Sequence, residues 1–163
     1  MTGALGDGPA DPRLILSDDE LDRALETFLL AETTLWAAAD AKLAGVRLGK
    51  GHFRAAFLLK RRPGLGVQEM AKLTGLSKQG ASRVLLDLVE GGYAEAGAGA
   101  LDGRRRPTQL TEKGLAFEAG ISSALRALLA AAYREGGLDA APGARRVLAA
   151  LAGPRAHRRR DEG

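Results

Sequence analysis

Between residues 17 and 153 the apolar positions recur at three- and four-residue intervals, the period of helices that bury one stripe. Leu21, Leu25, Phe28, Leu29, Leu35 and Trp36 predict a first helix reaching about residue 43. Ser17 and Glu20 open it as a capping box: the hydroxyl caps the helix and the carboxylate reaches back. Phe53, Ala56, Phe57 and Leu59 predict a second helix over about residues 51–60, ended by Arg61-Arg62-Pro63-Gly64. A third helix carries Met70, Ala71 and Leu73, and Gly75 follows where a sharp turn needs a positive φ. Leu76 plugs the core and Ser77 caps a fourth helix, in which Ala81, Val84, Leu85 and Leu88 form the buried face. Gly91-Gly92 stops it. Further on, Thr111 caps a long helix to about residue 133, with Leu115, Ile121, Leu125, Leu128 and Leu129 as its stripe. Gly136-Gly137 interrupts, and residues 144–152 make a last short helix.

Two short segments break the helical period. Residues 93–96 and 107–110 read as extended strands that return antiparallel, separated by a glycine-rich stretch and three consecutive arginines, Arg104, Arg105 and Arg106. Before them, the third and fourth helices with their turn glycine have the layout of a helix-turn-helix. Ser77, Lys78, Gln79, Ser82 and Arg83 lie at the start and on the outward face of the fourth helix, where side chains meet phosphates or base edges in a major groove. Taken alone, residues 68–88 fit equally an ordinary helical hairpin with a solvated polar face, and three arginines alone fit a solubilising loop. Together, about twenty residues apart, they describe a helix-turn-helix with a wing whose arginines reach the backbone or an adjacent minor groove.

The stretch resembles the winged helix-turn-helix of the MarR family of bacterial transcription regulators. That family's wing signature is Asp-x-Arg, five residues, then Leu-Thr-x-x-Gly; here Asp102, Arg104, Leu110, Thr111 and Gly114 stand in register. The resemblance in layout covers roughly residues 17–153. It implies that Asp102 braces the wing through an arginine, that Arg104 approaches DNA, and that first and last helices of two copies intertwine. Two departures are visible. Ala96 and Gly97 occupy positions usually basic in the family, and Gly80 sits inside the recognition helix, where it costs roughly 1 kcal/mol relative to alanine.

Charge distribution sharpens this picture. The chain of 163 residues carries a net +4. Residues 1–41 hold two Arg against nine Asp or Glu, a net −7, whereas residues 42–106 hold thirteen Lys or Arg against five, a net +8. A basic middle around a helix-turn-helix is the expected footprint of DNA binding. There is no cysteine, which excludes disulfides, thiolate metal sites and thiol redox sensing. His52 and His157 are too far apart in sequence to suggest a zinc site, so neither a metal nor a cofactor is expected. No apolar run is expected to span a bilayer, the Gly/Pro-containing acidic start does not read as a signal peptide, and a cytoplasmic protein is expected.

The expected fold is mainly α with a small β-hairpin wing, a winged helix-turn-helix flanked by N- and C-terminal dimerisation helices. Its parts are a flexible segment (1–16), an N-terminal dimerisation helix (17–48), the DNA-binding domain (49–113), C-terminal dimerisation helices (114–153) and a basic tail (154–163). The wide apolar faces of the terminal helices favour a two-fold homodimer over an intramolecular bundle. No nucleophile–base signature or phosphate loop is present, so no enzyme is expected. Family members often bind small phenolic or aromatic acids, which places Trp36, His52, Phe53 and Arg54 nearest a possible ligand crevice; core packing explains Trp36 as well. The expectation is a dimeric regulator on a pseudo-palindromic double-stranded operator. A low-specificity architectural DNA-binding protein, or a winged module for protein contacts alone, are the alternatives.

Overall fold

A computed structural model describes residues 16–96 and 108–153. The elements run α1 (Asp18–Leu43), α2 (Lys50–Arg61), α3 (Val67–Thr74), α4 (Lys78–Glu90), β1 (Ala94–Ala96), β2 (Thr108–Leu110), α5 (Glu112–Gly136) and α6 (Ala140–Ala152). Two compact units divide the chain after Thr34.

In the first unit, the start of α1 is the capping box that the sequence predicts. The Ser17 amide donates to Glu20 Oε2 at 2.8 Å, and the Glu20 amide donates to Ser17 Oγ at 3.3 Å. Those bonds hold the Glu20 carboxyl below the usual carboxylate range, the Ser17 backbone amide first and its hydroxyl second. The apolar positions Leu21, Leu25, Phe28, Leu29 and Leu30 of this unit are all exposed.

In the second unit, α2, α3, α4 and the hairpin share one core of Ala55, Leu59, Leu65, Met70, Ala81, Leu85, Leu88 and Ala94. Leu76 packs against it from the turn, as its spacing predicts. Gly75 closes α3 at φ +76°, a left-handed conformation that a side chain would strain, and its amide donates to the Ala71 carbonyl. Ser77 caps α4 by accepting from the Gly80 amide at 3.0 Å. A side chain at position 80 would stand 3.2 Å from that same hydroxyl, so the glycine in α4 leaves room for the cap. The strands pair antiparallel with Ala94 opposite Leu110 and Ala96 opposite Thr108. Asp102, Arg104, Arg105 and Arg106 lie outside the described residues, as do the expected N-terminal segment up to residue 15 and the tail from residue 154.

A second core joins Ala39, Leu43, Phe53 and Ile121, with Trp36, Phe117 and Leu125 against it. Here α5 departs from expectation in two ways. Leu115 and Leu129, counted in its buried stripe, are exposed, whereas Glu118 and Ser122 are buried. The expected absence of a membrane-length apolar run is also corrected, because α5 is long and apolar enough by composition to cross a bilayer. Alanine supplies much of that apolarity, and its inward face carries a carboxylate bonded to Lys60 of α2, the arrangement of a helix packed on protein. The last helix starts at Ala140, ahead of the expected residue 144. Pro142 falls in the first turn, where an amide hydrogen has no intrahelical acceptor, so the helix accommodates it. None of the residues of α6 is buried.

Candidate nucleic-acid interface

The polar face of α4 is set by its buried one. With Ala81, Leu85 and Leu88 in the core, Gln79, Ser82 and Arg83 point away, Lys78 stands at the open first turn, and all four are exposed. They line one open groove of about 660 Å³ together with Val67 from the start of α3 and Leu86. Ser77, the fifth residue predicted on this face, uses its hydroxyl as the helix cap. The groove therefore presents two cations, a primary amide and a hydroxyl, the donor set for phosphate oxygens and purine edges.

A polar chain not foreseen from the sequence supports Arg83 from behind. Its guanidinium forms an ion pair with Asp87, one helical turn along, Nε standing 2.9 Å from Oδ1. The other Asp87 oxygen lies 3.1 Å from Nε2 of His52 on α2, and Nδ1 of that ring accepts from the Gly49 amide at 3.0 Å. The Arg83–Asp87 spacing of four is a legible signal. The His52 bond joins positions 35 apart and is not.

The other end of α4 is tied to the hairpin and α5. Thr111 Oγ1 donates to the Gly92 carbonyl at 2.7 Å and accepts from the Gly114 amide, so one hydroxyl joins the end of α4 to the cap of α5. Lys113 Nζ donates to the Gly91 carbonyl at 2.7 Å and stands 4.2 Å from the centre of the Tyr93 ring. The polar face of α4 thus sits on a helix held at both ends.

Away from this groove, a cavity of about 540 Å³ is bounded by α1 from Leu35 onward, α2, the end of α3, and α5. Trp36, Phe53 and Arg54, three of the four residues placed near a crevice by sequence, line it; His52 does not, its ring being held by Gly49 and Asp87. The Arg54 guanidinium lies 4.6 Å from the centre of the Trp36 ring. Arg126 and Ser122 of α5 also line the cavity, and Ser122 donates to buried Glu118, whose second oxygen takes Lys60. Neither Arg126 nor Glu118 stands out from sequence as a site residue, although a lone acid among Ile121, Leu125 and Leu128 is a readable anomaly. No cluster of His, Asp and Glu suited to a metal occurs among the described residues.

A family model described as the MarR family matches residues 47–105. The chain is 37% identical over 153 residues to the HTH-type transcriptional regulator PetP of Rhodobacter capsulatus, covering 94% of this chain and 90% of that protein. Among solved structures, a MarR family protein of Mycobacterium tuberculosis in complex with salicylic acid superposes with a TM-score of 0.59 at 23% identity, over 84% of this chain and 97% of that one. Staphylococcus aureus MarR in complex with salicylate and kanamycin gives a TM-score of 0.68 at 14% identity, over 82% and 91%. At these identities the two structures establish likeness of fold.

Proposed function

The chain belongs to the MarR family of winged-helix transcription regulators, and from that premise we propose that it binds a pseudo-palindromic DNA operator as a homodimer. The observation that carries the reading is the single exposed face of α4, where Lys78, Gln79, Ser82 and Arg83 line one groove. In the proposed complex that face enters the major groove, Ser77 sets the helix start against the backbone, and Gln79 and Arg83 reach base edges. Arg104, Arg105 and Arg106 take the phosphate backbone or the neighbouring minor groove, with Asp102 bracing the wing. Residues 49–113 form the DNA-binding domain, and residues 17–48 and 114–153 the dimerisation helices. Exposed Leu25, Phe28 and Leu30 of α1, and Val147, Leu148 and Leu151 of α6, supply the apolar surface that a second copy would cover.

The test is a comparison of duplexes. Genomic footprinting by immunoprecipitation yields the operator, and binding to it is compared with a random duplex of equal length across a salt series. Arg104→Ala should weaken both and lower the salt slope by about 1 for each phosphate that the arginine no longer neutralises. Gln79→Ala should lower the operator-to-random ratio, at about 1–3 kcal/mol for each bidentate base interaction removed. Light scattering should give about twice the 17.0 kDa chain mass. Equal affinity for every duplex would replace this reading with an architectural protein, and no binding at low salt would replace it with a protein-contact module.

Modulation by a small aromatic or phenolic acid is part of the proposal. The cavity between aromatic rings and two arginines supports it, as do the salicylic acid and salicylate complexes of the two structural relatives.

A further inference from the structure

Arg83 is the most exposed member of the chain that runs from Gly49 to α4. Its side chain is 71% exposed, against 26% for Asp87 and 17% for His52. The direction of each bond in the chain is fixed by chemistry. Because Nδ1 of His52 accepts from the Gly49 amide, the ring proton of the neutral side chain sits on Nε2 and is donated to Asp87 Oδ2. The carboxylate, held from that side, pairs with the guanidinium of Arg83, whose Nε stands 2.9 Å from its other oxygen. An arginine bound in this way keeps the four N–H groups of its terminal nitrogens, the fork that grips a guanine edge or a phosphate.

We propose that Asp87 and His52 are positioning residues for DNA reading: without touching DNA, they fix the guanidinium of Arg83 and thereby set the operator specificity of α4. The inference rests on the reading of Arg83 as a base-contacting residue. Two physical effects give it force. An exposed arginine loses rotamer freedom on binding, and anchoring Nε beforehand removes part of that cost. The Asp87 carboxylate also repels phosphates, which disfavours duplexes on which the fork finds no matching base and so widens the gap between operator and random DNA.

The experiment measures operator and random-duplex affinities of the full-length protein at one salt concentration. Arg83→Ala comes first, with a loss of at least about fivefold in the operator-to-random ratio expected for one base interaction. Asp87→Ala and His52→Ala should each lower that ratio roughly three- to thirtyfold. Asp87→Ala should at the same time bind random duplex as tightly as the parent or more tightly, which a general loss of folding cannot produce. His52→Gln, which keeps a donor, should retain more of the ratio than His52→Ala. Asp87→Asn, which keeps the shape and an acceptor, decides the matter should the alanine variant not fold. In an Arg83→Ala background, Asp87→Ala should change the ratio no further. An unchanged ratio in Asp87→Ala, or an equal loss with and without Arg83, overturns the proposal while leaving Arg83 as a reader. A ratio indifferent to Arg83→Ala overturns the reading of Arg83 itself.

Discussion

A Cβ built at Gly114 would stand 1.9 Å from the carbonyl oxygen of Tyr93. That carbonyl also accepts the Thr111 amide at 3.1 Å, the bond that carries the hairpin into α5. Leu110 packs on the core, Thr111 grips Gly92 and caps the helix, and Gly114 lets the first turn of α5 pass against the backbone before β1. The spacing of Leu-Thr-x-x-Gly is thereby a statement about one crossing of chain segments.

Gly114→Ala should therefore be severe. No rotamer relieves a clash between Cβ and backbone, so α5 or the hairpin must move, at a cost above about 3 kcal/mol. Denaturant unfolding would measure it. A variant within about 1 kcal/mol of the parent would mean that the crossing is looser than the geometry requires.

Much of this is legible in sequence because the signals are local. The turn at Gly75 and the caps at Ser17, Ser77 and Thr111 each follow from a few adjacent residues. What escapes the sequence depends on tertiary structure. Glu118 lies on an apolar stripe, and only the approach of Lys60, 58 positions away, makes its burial sensible. Sequence adjacency puts His52 in a crevice with Phe53 and Arg54, but successive residues on a helix point about 100° apart. Phe53 is in the core and Arg54 lies over Trp36, while His52 faces Asp87 on another side of α2. The start of α6 also depends on context, because a proline's effect varies with the turn it occupies and Pro142 falls in the first.

The Lys60–Glu118 pair should contribute through its buried member. Glu118 is enclosed and also accepts from Ser122, whereas Lys60 reaches water. Lys60→Met strands the carboxylate and should cost about 3 kcal/mol, at the lower end for breaking a buried pair because one partner is solvated. Glu118→Gln keeps hydrogen-bonding atoms in place and should cost about 1 kcal/mol. Chemical unfolding of both variants orders the two effects. If Glu118→Gln proves the worse, the negative charge itself is what the site requires.

Acid should loosen the start of α1. Glu20 is held below the usual carboxylate range chiefly by accepting the Ser17 backbone amide, then by the Ser17 hydroxyl. A carboxyl depressed by folding stabilises fully above its unfolded value, and the benefit is lost as pH falls through the lower, folded one. The Ser17 amide proton should thus shift upfield as the solution is acidified below the ordinary glutamate range, and Glu20→Gln should abolish that titration. A Ser17 amide that ignores pH over this window would show that the capping box does not persist in solution.

An effector can act on DNA affinity only by preferring one arrangement of the protein over another. The cavity lined by Trp36, Phe53, Arg54 and Arg126 offers aromatic walls and two cations, the complement of an aromatic acid. With no cysteine in the chain, thiol oxidation has no target, and the acid would bind non-covalently. Titration of salicylate against the free protein should change Trp36 fluorescence, the indole being the one tryptophan present. Arg126→Ala should weaken binding by removing a charge-assisted hydrogen bond, while His52→Ala, outside the cavity lining, should bind the acid as the parent does. Reciprocity supplies the stricter check: an acid that lowers operator affinity tenfold must itself bind the DNA complex tenfold more weakly, a coupling of about 1.4 kcal/mol. Quenching of Trp36 with no change in operator affinity would leave the cavity occupied but uncoupled, and the regulator would then be constitutive toward that acid.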